Sequence, residues 1–156
     1  MDEITIVEVP TQNVLGIRKQ GKYELIPQLL AALFHHAMLK GAQFVGMPTY
    51  ICHELSKEAA MDADKNGTAD IEVIVPIAAA IEETDEIKYY ELVGGQMAKI
   101  VHKGPYDACE QTYNKLFAWL GENGKTICGP IREVYLNDPR EVKPEEILTE
   151  IYAPIE

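Results

Sequence analysis

Apolar and polar residues alternate along Thr5–Ile17 and again along Leu92–Val101, the period-two pattern of a half-buried strand. A Gly-x-Tyr turn follows each, and then the period changes. Ile26, Leu30, Leu33, Phe34 and Ala37 fall on one helical stripe, as do Cys109, Tyr113, Leu116, Phe117 and Leu120. Pro27 suits a first helical turn, and Asp107-x-x-Glu110 has capping-box spacing with Asp in place of Ser or Thr. Gly41 and Gly124 stand where left-handed caps end helices. A strand is predicted after Gly46 and after Gly129, and another ending at Pro76 and at Pro154. The pattern is β-α-β-β, used twice. Between the copies, Ala78–Glu91 with its acidic run Glu82-Glu83-Thr84-Asp85-Glu86 reads as an exposed helix or loop.

The two copies also match residue by residue. Laying Ile17–Glu54 over Ile100–Asn137, an offset of 83, makes eight positions identical: Ile17, Gly21, Tyr23, Gln28, Leu33, Phe34, Gly41 and Gly46. With five residues dropped from a loop, Glu72, Pro76 and Ile77 fall on Glu150, Pro154 and Ile155. Two copies imply a paired pseudo-twofold domain rather than a solenoid. The expectation is one α+β domain over residues 1–156, with repeat 1 at about 4–77, a linker at 78–91 and repeat 2 at about 92–156. Its two pseudo-symmetric β-α-β-β repeats form one antiparallel sheet carrying two main helices.

Composition narrows the chemistry. A chain of 156 residues can bury a real core. Its net charge of −11 repels phosphate backbones, so direct nucleic-acid binding is not expected, while cationic small molecules are favoured. The three cysteines, Cys52, Cys109 and Cys128, lack the spacing of a zinc site or a disulfide framework. Met1-Asp2-Glu3 is acidic where a signal peptide is basic, and no apolar run approaches a bilayer span, so the expectation is a cytoplasmic chain without membrane contact. No cofactor is expected, since no P-loop, nucleophile elbow or zinc motif occurs. The adjacent His35 and His36 point apart on a helix and do not share a metal. Asp62-Ala63-Asp64-Lys65-Asn66-Gly67 imitates the start of a calcium loop, but position twelve is Val73, and the stretch reads as a solvated acidic loop.

One set of segments carries a family likeness. His102-Lys103-Gly104-Pro105-Tyr106-Asp107, Leu116-Phe117-Ala118-Trp119-Leu120, Gly129-Pro130-Ile131-Arg132-Glu133-Val134-Tyr135-Leu136, Asp138-Pro139 and Thr149-Glu150-Ile151-Tyr152-Ala153-Pro154 together resemble the GyrI-like small-molecule-binding domain. That domain also serves as the effector-binding part of multidrug-responsive bacterial regulators. The resemblance implies two β-α-β-β units forming one antiparallel sheet with a ligand cleft, here in stand-alone form. The first copy departs from the motif, because Gly21-Lys22-Tyr23 lacks the proline and Tyr50 stands where the second copy has Glu133.

Alternation in Arg132–Leu136 separates Val134 and Leu136 from Glu133 and Tyr135. Taking the first pair as the helix-facing one leaves Glu133 and Tyr135 for the cleft, where the offset brings Tyr50 to join them. The resemblance implies that Glu133 is a buried counter-charge for lipophilic or cationic small molecules, with Tyr50 and Tyr135 stacking around it. Trp119 and its counterpart His36 lie at the borders of their stripes, where Trp119 is a candidate pocket wall. The same likeness leaves a hydrolase of strained electrophilic compounds open, with Glu133 and Tyr50 as its catalytic pair. It also leaves open modulation of a protein partner, such as inhibition of a gyrase.

Overall fold

The structure, a computed structural model, describes residues 3–54 and 56–156, and of Asp107 only the backbone. It is α+β, with antiparallel pairing in every ladder described. The strands and helices run in the order β1 (Thr5–Val9), β2 (Gln12–Gly21), α1 (Ile26–Leu39), β3 (Thr49–Cys52), α2 (Lys57–Asn66), β4 (Ala69–Pro76), β5 (Ile87–Leu92), β6 (Gly95–Lys103), α3 (Cys109–Glu122), β7 (Ile131–Tyr135) and β8 (Leu148–Pro154). They pack as two compact units, one spanning Thr11–Val93 and the other Gly94–Glu156 together with the segment up to Pro10.

Each opening segment is two strands rather than one. Pro10, which has no N–H to give a ladder, separates β1 from β2. Gly95, with φ near 149°, begins β6 just after β5 ends. The linker expected as a helix or loop over 78–91 therefore ends in a strand, β5, whose Ile87 is buried opposite Ile17.

In the unit Thr11–Val93 the strands lie in the order β3-β4-β2-β5. β4 is buried along nearly its whole length, and Ile17, Val73 and Tyr50 stand in one row across β2, β4 and β3. On the other face Val14, Ile51 and Ile74 form a cluster with Tyr90 and Leu92. α1 buries Leu29, Leu33 and Ala37, and Gly41 follows it with φ near 72°, the left-handed conformation its cap position predicts. The stretch expected as an acidic loop belongs to α2. Ser56 Oγ caps that helix by accepting from the Ala59 N–H at 3.1 Å, and Gly67 closes it with φ near 67°. Between these two stops lies a run of good helix formers, Lys57-Glu58-Ala59-Ala60-Met61, which outweighs the likeness to a calcium loop.

In the other unit the order is β1-β6-β8-β7. Ala98, Ile100, Ile151 and Ala153 from β6 and β8 pack against Leu116 and Leu120 of α3. Each large aliphatic side chain so buried contributes roughly 1.5–3 kcal/mol. α3 starts without a side-chain cap on its N-cap residue, Ala108; the side chain of Asp107, expected to cap it, lies outside the described residues. The repeated glycine before β3 and β7 has a packing reason. A Cβ on Gly46 would meet Pro76 Cγ at 2.7 Å, and one on Gly129 would meet Pro154 at 3.4 Å, so each copy sets its glycine against its own closing proline.

Candidate functional site

β7 carries Glu133 opposite Ile151, and Tyr135 opposite Thr149. Ile151 belongs to the cluster beneath α3, so Glu133 and Tyr135 occupy the helix-bearing face. Val134, opposite Glu150, takes the other. This reverses the expected orientation, in which Val134 and Leu136 met the helix. The reason is on α3 itself: its stripe presents Tyr113, whose hydroxyl donates to Glu133 Oε2. A carboxylate on the core side of a sheet is tolerable when a donor meets it there.

Tyr135 donates to the second oxygen, Oε1, at 3.3 Å. Around the carboxylate the rings form two contacts. Tyr106 meets Tyr135 edge to face at 5.3 Å between centroids, and Tyr113 lies 5.9 Å from Phe117. Tyr106 and Phe117 remain 41% and 44% exposed, so these rings face solvent, and Glu133 itself is half-buried. Burial pushes the Glu133 carboxyl above its ordinary range, although hydrogen bonds from Tyr113 and Tyr135 and the proximity of His102 act in the opposite direction. The Tyr135 phenol is raised by burial and by Glu133 beside it.

Comparison with two other strand carboxylates shows what sets Glu133 apart. Glu72 binds His53 Nε2 at 2.7 Å and accepts from the Tyr90 hydroxyl at 2.6 Å. Glu150 pairs with Lys99 Nζ at 2.7 Å and accepts from the Tyr152 hydroxyl at 3.0 Å. Each has tyrosine and a basic side chain. Glu133 has two tyrosines and, among the described residues, no basic side chain in ion-pair contact. Of these three strand carboxylates it is the one without a basic partner among the described residues.

Tyr50 belongs to the unit Thr11–Val93, where it is 5% exposed and its hydroxyl has no hydrogen-bond partner among the described residues. Its ring meets Tyr23 edge on at 6.3 Å, and burial, with Cys52 and Tyr23 nearby, raises its phenol. Trp119 is partly buried against the core cluster beneath α3, and no described contact joins it to Glu133. His36 donates through Nε2 to the Glu82 carbonyl at 2.6 Å, which anchors the linker.

Three groups escaped the reading of the sequence: Tyr113, the His102–Thr112 pair at 2.7 Å, and Thr149, whose fully buried hydroxyl has no partner among the described residues. The motif segments contained His102 and Thr149 but assigned them no task. Tyr113 was legible only as one more residue of an apolar stripe.

The family model described as GyrI-like small molecule binding domain matches residues 2–156. No curated protein matches the chain. Among solved structures, the C-terminal domain of EcmrR superposes with a TM-score of 0.86 at 20% identity, covering 99% of this chain and 97% of that one. In the EcmrR–DNA complex the chain spans 57% of EcmrR, with a TM-score of 0.85 at 20% identity. A hydrolase encoded by lin2189 from Listeria innocua superposes at 0.69 with 15% identity, covering 99% and 92%. SAV2435 bound to tetraphenylphosphonium superposes at 0.55 with 13% identity, covering 99% and 94%. At these identities the superpositions show a shared fold.

Proposed function

Because the chain belongs to the GyrI-like small-molecule-binding domain family, we propose that it captures lipophilic cations at Glu133. The observation that carries this reading is a carboxylate held by two tyrosine hydroxyls, flanked by aromatic rings and without a basic side chain in ion-pair contact among the described residues. A buried carboxylate costs free energy when it ionises alone. A cationic guest returns the missing charge, and each ring face adds roughly 0.5–2 kcal/mol. A lipophilic guest suits the site because the Phe117 and Tyr106 rings are already partly exposed. Tyr135 supplies a ring and a fixed hydrogen bond. In this reading Trp119, on the same compact unit as Glu133, contributes further aromatic surface for the guest. The cation in the SAV2435 structure, tetraphenylphosphonium, is a suitable probe.

Calorimetric titration of Glu133→Gln tests the proposal. Loss of the charge is expected to weaken tetraphenylphosphonium binding by about 1.5–3 kcal/mol while leaving a neutral aromatic ligand almost unchanged. Equal affinity of the mutant and the native protein for the cation sinks it.

A hydrolytic reading draws on the same group, since Glu133 is already bonded to two phenols, Tyr113 and Tyr135, that can stabilise a developing oxyanion. In that case Glu133 activates water and Tyr135 donates to the leaving oxygen. Incubation with a strained-ring electrophile followed by mass spectrometry distinguishes it, because a binder returns the compound intact. If hydrolysis occurs, Glu133→Gln should slow it at least about a hundredfold.

A further inference from the structure

The Tyr106 ring flanks Glu133 from a turn, and among the described residues the side chain of His102 ties that turn to its neighbours. His102, 5% exposed on β6, has both ring nitrogens engaged. Nε2 lies 2.8 Å from the Pro105 carbonyl, and Nδ1 lies 2.7 Å from Thr112 Oγ1 on α3. A carbonyl can only accept, so Nε2 carries the hydrogen. The Thr112 hydroxyl can accept or donate, so it serves Nδ1 whether or not that nitrogen carries a hydrogen. The ring thereby ties β6, the 103–106 turn and α3 together. The turn needs this hold because it is bent sharply: Gly104 has φ near 125°, and its N–H donates to the Ile147 carbonyl at 2.7 Å. The residue after Pro105 is Tyr106.

The first copy shows the same task met by other means. Lys19 stands at the position of His102 and Leu29 at that of Thr112, so the histidine clamp is absent there. Its turn tyrosine, Tyr23, is held instead through its N–H by Asp64 Oδ1 at 2.9 Å and through its hydroxyl by Glu54 Oε1 at 2.5 Å. Each copy thus fixes its turn tyrosine, with unrelated residues. We propose that His102 is a positioning residue for the Glu133 site, which through its Nε2–H locks the Pro105 carbonyl and so holds the Tyr106 ring against Tyr135. The role in ligand capture rests on the cation-binding reading above; the role in ring placement does not.

The test uses both levels. In the ligand-free protein, nitrogen-detected NMR of the His102 ring should show a protonated Nε2, and the Tyr106 and Tyr135 rings should give mutual cross-peaks. His102→Gln can still place an N–H near Pro105, whereas His102→Asn reaches only toward Thr112. The ring cross-peaks should therefore persist in Gln and vanish in Asn. Tetraphenylphosphonium affinity should follow them, falling about fivefold in Asn, the size of one lost cation–π contact, and little in Gln. An Nε2 without a hydrogen, or cross-peaks intact in Asn, overturns the proposal. Failure of every form, native included, to bind the cation would refute the cation reading and leave the ring contacts to decide the role of His102. Retained cross-peaks in Asn with lost affinity would also overturn it, because the histidine would then act on the ligand by another route.

Discussion

Proton ownership at Glu133 has a consequence for stability. Its carboxyl is raised above the ordinary range by burial, so the folded protein holds that proton more tightly than the unfolded chain does. The sign follows directly. Folding loses stability as pH climbs from the unfolded carboxyl pKa through the folded one, and the loss is complete above the latter. Glu133→Gln should therefore raise the melting temperature at neutral pH, and its advantage should shrink as pH falls below the ordinary carboxylate value. Thermal denaturation across pH 3–8 checks this, and a mutant less stable than native at neutral pH would contradict it. At this scale the sequence was half legible. Alternation showed that Glu133 and Tyr135 share a face, but parity alone does not say which face meets a helix. The answer lay in Tyr113, twenty residues away along the chain, whose hydroxyl makes the helix side acceptable for a carboxylate. The ties of Glu72 to His53 and Tyr90 are equally non-local and left no local signal.

Among the elements, the repeated glycines and the extra helix respond differently to change. Gly46→Ala drives a Cβ to 2.7 Å from Pro76 and should destabilise by about 1–3 kcal/mol, as overpacking does. Gly129→Ala meets Pro154 at 3.4 Å and should cost visibly less in a denaturant titration; equal costs would contradict the packing account. Ser56→Ala removes the α2 cap and should cost about 1 kcal/mol. The main helices and most of their partner strands were readable because their apolar periods are strong. α2 was not, because it buries no residue and has no stripe to read. Its only markers were the cap residues, Ser56 and Gly67, and the calcium-like acids between them drew attention away. β5 was hidden by the acidic run before it, although Ile87 and Leu92 bound a strand-like segment.

For the molecule as a whole, 14 basic residues against 25 acidic ones create a field that draws cations in. Raising the salt concentration should slow association of tetraphenylphosphonium and leave a neutral isostere unaffected, which stopped-flow fluorescence can measure. Salt-insensitive association would mean that the net charge takes no part in capture. The repeat was legible from the sequence, but the boundary of the compact units was not, because β1 precedes β2 in the chain yet pairs with β6, while β5 precedes β6 yet pairs with β2. A cut in the linker before Ile87 would consequently not release two finished halves. One fragment would keep β1 without its ladder partner, and the other would keep β5 without its own. Each would be a lock holding the other's key. Neither should fold alone, and mixing should restore structure by fragment complementation.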